Sequence, residues 1–347
     1  MKFSAPGRVN LIGSHTDFQD GFVLPIALPL RVDVSVVASG DGRGADDIVS
    51  IRSEAFSGEV SVPADGSAGP NGGMAGWGRY VAGVVWALAQ LGRPPVGLMG
   101  DVSATIPPGA GLASSAALEV ALARALSAVA DWELEPVALA QACRRAEVEG
   151  AGVPCGIMDQ LAAVLGVGHA ALLIDCRSLT TELVPIPQQW SVIVADSGAR
   201  RELATSPYGD RRRDVDDGAV LLGMSLRDAT EDAVALLPEP LRRRCRHVVT
   251  ENARVLDAVD ALRREDADLL GDVFARSHRS DVTDYEAGHP AVDALVDRLL
   301  RQPGVFAARM TGGGFGGIVV ALTESDAAPA VIDALAPLQA WSGAPRL

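Results

Sequence analysis

The stretch that most constrains the fold is Pro107-Pro108-Gly109-Ala110-Gly111-Leu112-Ala113-Ser114-Ser115-Ala116-Ala117-Leu118-Glu119-Val120. Before it, Leu98, Val102, Ala104 and Ile106 fall at even spacing, which is strand character. After it, Leu118, Leu122 and Leu126 recur every four residues in an Ala-rich run, which is helical spacing. A strand that feeds a Gly-rich turn opening a helix leaves backbone N–H groups pointing at one spot, with the positive end of the helix dipole behind them. Gly109 and Gly111 let the chain approach an anion closely, and the hydroxyls of Ser114 and Ser115 suit phosphate oxygens or a magnesium ion. A turn followed by an ordinary core helix reads the same way, so this stretch alone does not decide function.

Composition narrows the choice. The chain has 347 residues, which exceeds the usual single core, and two domains are expected with a boundary near residue 176. It is 48% hydrophobic and 21% charged, the make-up of a soluble globular protein. A formal charge of −14 argues against nucleic acid, because a duplex binder needs a cationic face. The four cysteines show neither a CxxC pair nor zinc spacing, which fits a reduced, cytoplasmic setting. MKFSAPGR has no signal-peptide core, the apolar runs are too short or interrupted to span a bilayer, and no membrane role is expected. Lys2 is the only lysine. A Walker A lysine, the strand lysine of protein kinases and a pyridoxal Schiff base are therefore excluded, and HExxH and GxSxG are absent too.

Three other stretches are dense in chemistry. Ala5 to Pro25 reads APGRVNLIGSHTDFQDGFVLP; in extended chain its His15 and Asp17 would share a side and face a polyhydroxylated ligand, although a solvated hairpin turn contains similar residues. Gly152-Val153-Pro154-Cys155-Gly156-Ile157-Met158-Asp159-Gln160 is a turn into an apolar helix, whose acid reads equally as a cap. Thr311 to Gly317 carries five glycines in seven residues between two strands, which calls for close backbone packing. Trp77 and Tyr80 share one face of a helix running to about Leu91, as an adenine clamp or as core. Helices are expected over Leu134–Glu149, Asp214–Leu237, Pro240–Arg264, Ala267–His278 and Ala291–Arg301, and strands over Leu30–Val37, Ala170–Asp175, Ser191–Asp196, Val305–Met310 and Ile318–Leu322, with a linker from Cys176 to Pro187. Arg200, Arg201 and Arg211 to Arg213 flank Tyr208 as a solvated face, from which one arginine could reach a phosphate.

Taken in order, APGRVNLIGSHTDFQDGFVLP, PPGAGLASSAALEVA, VPCGIMDQ and RMTGGGFGG resemble the motifs of the GHMP small-molecule kinases, and within them the galactokinase family. Gly76-Trp77-Gly78-Arg79-Tyr80, Asp196 to Arg200 leading to Tyr208, Arg246 to Asn252 and Ser277 to Ser280 extend the likeness over almost the whole chain. The resemblance implies an α+β fold of two domains, 1–176 and 177–347, with the active site in the interdomain cleft. It implies ATP bound with its phosphates on Gly109, Gly111, Ser114 and Ser115, its adenine near Trp77 and Tyr80, and Arg200 as a further nucleotide contact. Magnesium would be held by Ser115 and Glu147. Asp159 and Arg8 would be catalytic, the acid taking or orienting the proton of the anomeric hydroxyl and the guanidinium stabilising charge on the phosphoryl group. Ser14, His15, Asp17, Gly156 and Tyr208 would bind the sugar.

The implied reaction is ATP-dependent phosphorylation of the C1 hydroxyl of a monosaccharide, with galactose the first choice. Two departures stand out. The family histidine after the magnesium glutamate is Val148 here, and the family glutamate before the site histidine, expected to grip the hydroxyl on carbon 6, is Ser14. A sugar altered at or lacking carbon 6, such as L-arabinose or a galacturonate-like acid, is therefore an alternative substrate, and a non-catalytic sugar and ATP sensor an alternative role. A mevalonate or homoserine kinase would share the phosphate turn but not RVNLIGSHTDF or GIMDQ. The partners implied are a small monosaccharide and no nucleic acid or membrane, for a monomer or weak homodimer.

Overall fold

A computed structural model describes residues 1–37, 47–107, 109–199 and 207–342. The chain divides into two compact units whose segments interleave: the first comprises Met1–Arg8, Leu28–Pro108 and Leu112–Leu165, the second Val9–Ala27, Gly109–Gly111 and Gly166–Leu347.

In the first unit the strand Pro25–Val37 runs antiparallel to Leu98–Ala104, with Val34 opposite Val102. Leu98–Ala104 lies parallel to Ile48–Ser53, which in turn pairs antiparallel with Glu59–Pro63. Alternation places Leu98, Gly100 and Val102 inward and Met99 outward, as a strand with one covered face requires. The helices Gly78–Gln90, Ser114–Val129, Pro136–Arg145 and Met158–Leu165 pack on one another through fully buried Val84, Leu88, Leu122, Leu126 and Leu161. Each such side chain contributes roughly 1.5–3 kcal/mol by leaving water.

The helix expected over Leu134–Glu149 starts at Pro136 and is α-helical to Arg145. It then widens into a π-helix over Ala146–Ala151, closed by Gly152 at φ 70°. The widened segment packs closely on the helix Gly78–Gln90. Gly150 sits back to back with Gly83, so that a Cβ on either would lie within 2.8 Å of the opposing backbone. Two helices meeting at backbone distance leave no room for side chains between them.

In the second unit, strands in the order Val305–Thr311, Ile318–Glu324, Trp190–Asp196 and Ala340–Ser342 form an antiparallel sheet. Ala170–Asp175 pairs with Phe22–Val23 and with Thr181–Pro185, so the expected linker after Cys176 contains a strand. The helices are Tyr208–Leu222, Glu231–Val234, Leu241–Arg264, Ala267–Thr283, Pro290–Leu300 and Ala328–Ala334. The single helix expected over Asp214–Leu237 is thus two: Gly223 at φ 67° ends the first, and the Thr230 side chain accepts the Ala233 amide to begin the second. Asp266 caps Ala267–Thr283 in the same way through the Leu269 amide. The glycine-rich turn packs as its composition required: a Cβ at Gly314 would lie 2.4 Å from that of Ala287, and one at Gly316 would lie 2.8 Å from the Ala199 carbonyl.

Among the described residues no helix is long and apolar enough to cross a membrane. The four cysteines are free.

Candidate active site

Gly109 and Gly111 take φ of 73° and 74°, and Ala113 at φ 57° holds a left-handed conformation immediately before the helix Ser114–Val129. A non-glycine residue there costs on the order of 1–2 kcal/mol, strain that concentrates where function demands a shape. No side chain caps this helix. Its first amides are thus uncapped by any side chain, an arrangement suited to binding an anion. Ser115 hydrogen-bonds the carboxylate of Glu147.

Ser114 and Ser115 also line a cavity of about 460 Å³ together with Phe56, Trp77, Tyr80, Val102, Ile106 and Leu118. Trp77 and Phe56 stack with ring centroids 6.0 Å apart and an interplanar angle of 18°. A largely apolar cavity with aromatic side chains and two serine hydroxyls in its lining suits a ligand that pairs a flat base with a phosphate.

Arg8 and Asp159 face each other with two hydrogen bonds, Nε to Oδ1 at 2.7 Å and Nη2 to Oδ2 at 2.6 Å. This bidentate fork is the strongest ion-pair geometry a protein offers. It belongs to the phosphate turn mechanically, because the Arg8 amide donates to the Leu112 carbonyl at 3.1 Å and a Cβ at Gly7 would strike that same oxygen at 2.7 Å. Behind the pair lies a buried acid cluster. Gln160 Nε2 donates to Glu147 Oε2 at 2.6 Å and to Glu119 Oε2 at 3.1 Å, and the Cys155 thiol to Glu147 at 3.5 Å. Burial, and then the charge of Asp159, push Glu147 above the usual carboxylate range, against hydrogen bonds from Ser115, Cys155 and Gln160 that pull it down. Glu119, fully buried, is pushed well above that range by burial and then by the charge of Glu147, with Asp159 adding less.

That chemistry suits a hard divalent cation. A hydroxyl and a carboxylate already in contact, with a second acid nearby and excess negative charge to neutralise, are oxygen donors of the kind Mg²⁺ takes. Among the described residues no group of three His, Cys, Asp or Glu side chains forms a closed cage, and magnesium bound largely through substrate phosphates does not need one.

Of the residues singled out in the sequence, Arg8, Trp77, Tyr80, Ser114, Ser115, Glu147, Gly156 and Asp159 lie in the first unit. Phe56, Glu119 and Gln160 escaped notice; the four-residue step from Ser115 to Glu119, one face of a helix, was the available signal for the second. Arg200 lies outside the described residues.

Ser14, His15, Asp17 and Tyr208 lie in the second unit. Residues 11–20 form turns rather than extended chain, so the expectation that His15 and Asp17 share the side of a strand fails. His15 at φ 64° breaks the alternation. They nonetheless share surroundings. The His15 ring stacks on Tyr285 at 3.8 Å and lies 5.9 Å from the Tyr208 ring, while Asp17 contributes to raising the Tyr285 phenol. Tyr285 too was missed. Ser14 is buried, its hydroxyl accepting from Arg309 Nη2 at 2.7 Å. Of the Arg211 to Arg213 run, Arg211 pairs with Glu286, Arg212 with Asp216 and Arg213 with Asp210.

Known proteins place the chain in a family. Residues 79–167 match the GHMP kinases N terminal domain and residues 258–338 the GHMP kinases C terminal. Mevalonate kinase, 16% identical, aligns with a TM-score of 0.72 over 99% of this chain and 98% of its own, a likeness of fold. The class is therefore that of the GHMP kinases. Residues 1–37 match the galactokinase galactose-binding signature. The galactokinase of Bos taurus is 43% identical over 96% of this chain and 86% of its own length, and that of Pyrococcus furiosus 36% identical over 95% and 91%. The Lactococcus lactis galactokinase complexed with galactose aligns at 28% identity with a TM-score of 0.88, over 98% of this chain and 92% of that one. The chain belongs to the galactokinase family.

Proposed function

We infer that this chain transfers the γ-phosphoryl group of ATP to the anomeric hydroxyl of galactose, giving galactose 1-phosphate and ADP. The observation that carries the reading is the Arg8–Asp159 fork, tied to the phosphate turn through the Leu112 carbonyl. Each carboxylate oxygen of Asp159 keeps a second lone pair while it accepts from Arg8, so it can also accept the bond of a sugar hydroxyl. As the sugar O–P bond forms and the bond from the γ-phosphorus to the bridging oxygen of the departing ADP breaks, that proton passes to Asp159 or is oriented by it, while the guanidinium stabilises charge on the transferred group. Ser115 and Glu147 would hold Mg²⁺, which neutralises charge on the β- and γ-phosphates when bound. Trp77 and Tyr80 would enclose the adenine, Gly109, Gly111 and Ser114 the phosphates, and Arg200 a further phosphate oxygen. Ser14, His15, Asp17, Gly156 and Tyr208 would bind the sugar.

Ser14 bears on substrate choice. A neutral hydroxyl engaged with Arg309 replaces the charged grip expected on carbon 6, a loss of about 1.5–3 kcal/mol. The experiment is a panel of galactose, L-arabinose, galacturonate and mevalonate in a coupled ADP assay, with Asp159→Ala as the companion variant. Galactose should be best and Asp159→Ala should abolish turnover while ATP binding persists. A pentose or uronate turned over faster would move the assignment to that sugar, and no turnover by the wild type would support a sensor. Substantial turnover by Asp159→Ala would remove that residue from its role.

The same reading places the reaction in the cytoplasm, with monosaccharide and nucleotide as partners, no nucleic acid or membrane, and a monomer or weak homodimer. The division into 1–176, with the sugar stretch, phosphate turn and Asp159, and 177–347 describes which part of the sequence carries which motif.

A further inference from the structure

The turn bearing His15 and Asp17 is conformationally expensive. Gly13 takes φ 100°, open to glycine, and His15 takes φ 64°, a conformation that a residue with a side chain does not favour. It is held from beneath by a charged cluster inside the second unit. His247, Glu251 and Arg254 follow one another at four- and three-residue steps on the helix Leu241–Arg264 and are all buried, so a stripe that periodicity reserves for apolar side chains is ionic. The Glu251 carboxylate is wholly inaccessible to solvent. Its Oε1 accepts from the amides of Gly13 at 3.1 Å and Ser14 at 3.3 Å, and from the Ser277 hydroxyl at 2.7 Å; its Oε2 accepts from Arg254 Nε at 2.7 Å. Arg309, equally buried, donates to the Leu11 carbonyl at 3.0 Å and to Ser14 Oγ.

Burying this much charge is a poor way to gain stability, since well-packed apolar residues of similar volume usually do as well or better. What apolar residues cannot do is hold two consecutive amides of a left-handed turn. We propose that Glu251 is a positioning residue for sugar recognition, its carboxylate anchoring the Gly13 and Ser14 amides so that His15 and Asp17 are presented in one fixed conformation. The proposal rests on the reading of His15 and Asp17 as sugar contacts, and Glu251 itself acts only through the turn.

The test is Glu251→Gln, which keeps size and one acceptor but removes the charge, with Ser277→Ala as a milder variant that deletes one support of the carboxylate. Steady-state constants for galactose and ATP are measured alongside hydrogen exchange of the peptide covering residues 11–20. The KM for galactose should rise about tenfold or more, the effect of one charge-assisted hydrogen bond. The KM for ATP should stay within about twofold, and exchange should accelerate in 11–20 ahead of the rest of the chain. Ser277→Ala should move both in the same direction by less, and decides the matter if Glu251→Gln does not fold. Parallel rises in both KM values, or exchange that quickens uniformly, would reduce Glu251 to a stability residue and overturn the proposal. Asp17→Asn separates the two readings: it should raise the galactose KM without altering exchange. If it leaves that KM unchanged, the sugar assignment fails, while exchange in Glu251→Gln still reports whether the turn is anchored.

Discussion

Separating Arg8 from Asp159 should expose how much the fork is worth. Two charge-assisted bonds of 2.7 and 2.6 Å would contribute about 1.5–3 kcal/mol each if fully desolvated. The side chains are 11% and 24% exposed, so water screens part of that sum, and a coupling energy of about 2–4 kcal/mol is expected. The measurement is a double-mutant cycle of Arg8→Met, Asp159→Asn and the pair, by urea unfolding. Each single variant strands a partly buried partner and should lose most of the coupling energy, whereas the double variant should lose little more than either. The catalytic arm follows kcat and ATP affinity for Arg8→Met: kcat should drop about 10²–10³-fold, as when one donor to a developing anion is deleted. ATP affinity should barely change. A coupling below about 0.5 kcal/mol, the level of an exposed pair, or a kcat loss under about tenfold, would refute the assignment.

Trp77→Ala should weaken ATP about tenfold, near the lower end of the 1–3 kcal/mol that stacking one base on an aromatic contributes, with the galactose KM unmoved; titration with nucleotide checks it. Burial and the nearby Arg309 charge depress the His278 imidazole to about 4, and its Nδ1 accepts from the Met310 amide at 3.4 Å, which requires the neutral ring. The unfolded chain then binds the extra proton, so stability falls as pH drops from about 6.5 towards 4, by up to about 3 kcal/mol. Urea unfolding of His278→Gln should show a shallower acid limb than the wild type. In the helix Tyr208–Leu222, Gly218→Ala gains about 1 kcal/mol of helix propensity but sets a Cβ 2.2 Å from the Cys245 sulfur, an overpacking that costs more. The variant should melt below the wild type, and adding Cys245→Ala should restore it.

What the sequence disclosed and what it withheld divide along a physical line. Strand alternation, four-residue leucine spacing and the glycines around Ala113 are local, and the strand, turn and helix they announce are where they should be. Asp159 was conspicuous because Pro154 and Gly156 frame it. The π-helix was not legible, and the glycine it packs against, Gly83, lies more than sixty residues from Gly150. Nor was the ionic core around Glu251, whose parts lie near residues 13, 251, 277 and 309 and look like ordinary helix charges until folding brings them together. The placing of His15 and Asp17 on an extended segment failed because one left-handed residue cancels period-two reasoning.

The bond from the Arg8 amide to the Leu112 carbonyl has a consequence for anyone altering the acceptor. On the proposed reading, the seat of the nucleotide and the aim of the guanidinium are joined by a backbone bond, so a change to one is expected to disturb the other. If Ser14 and His15 meet the sugar as proposed, efforts to retrain the protein for another sugar belong around Ser14 and Tyr285, away from the turn that would handle phosphate.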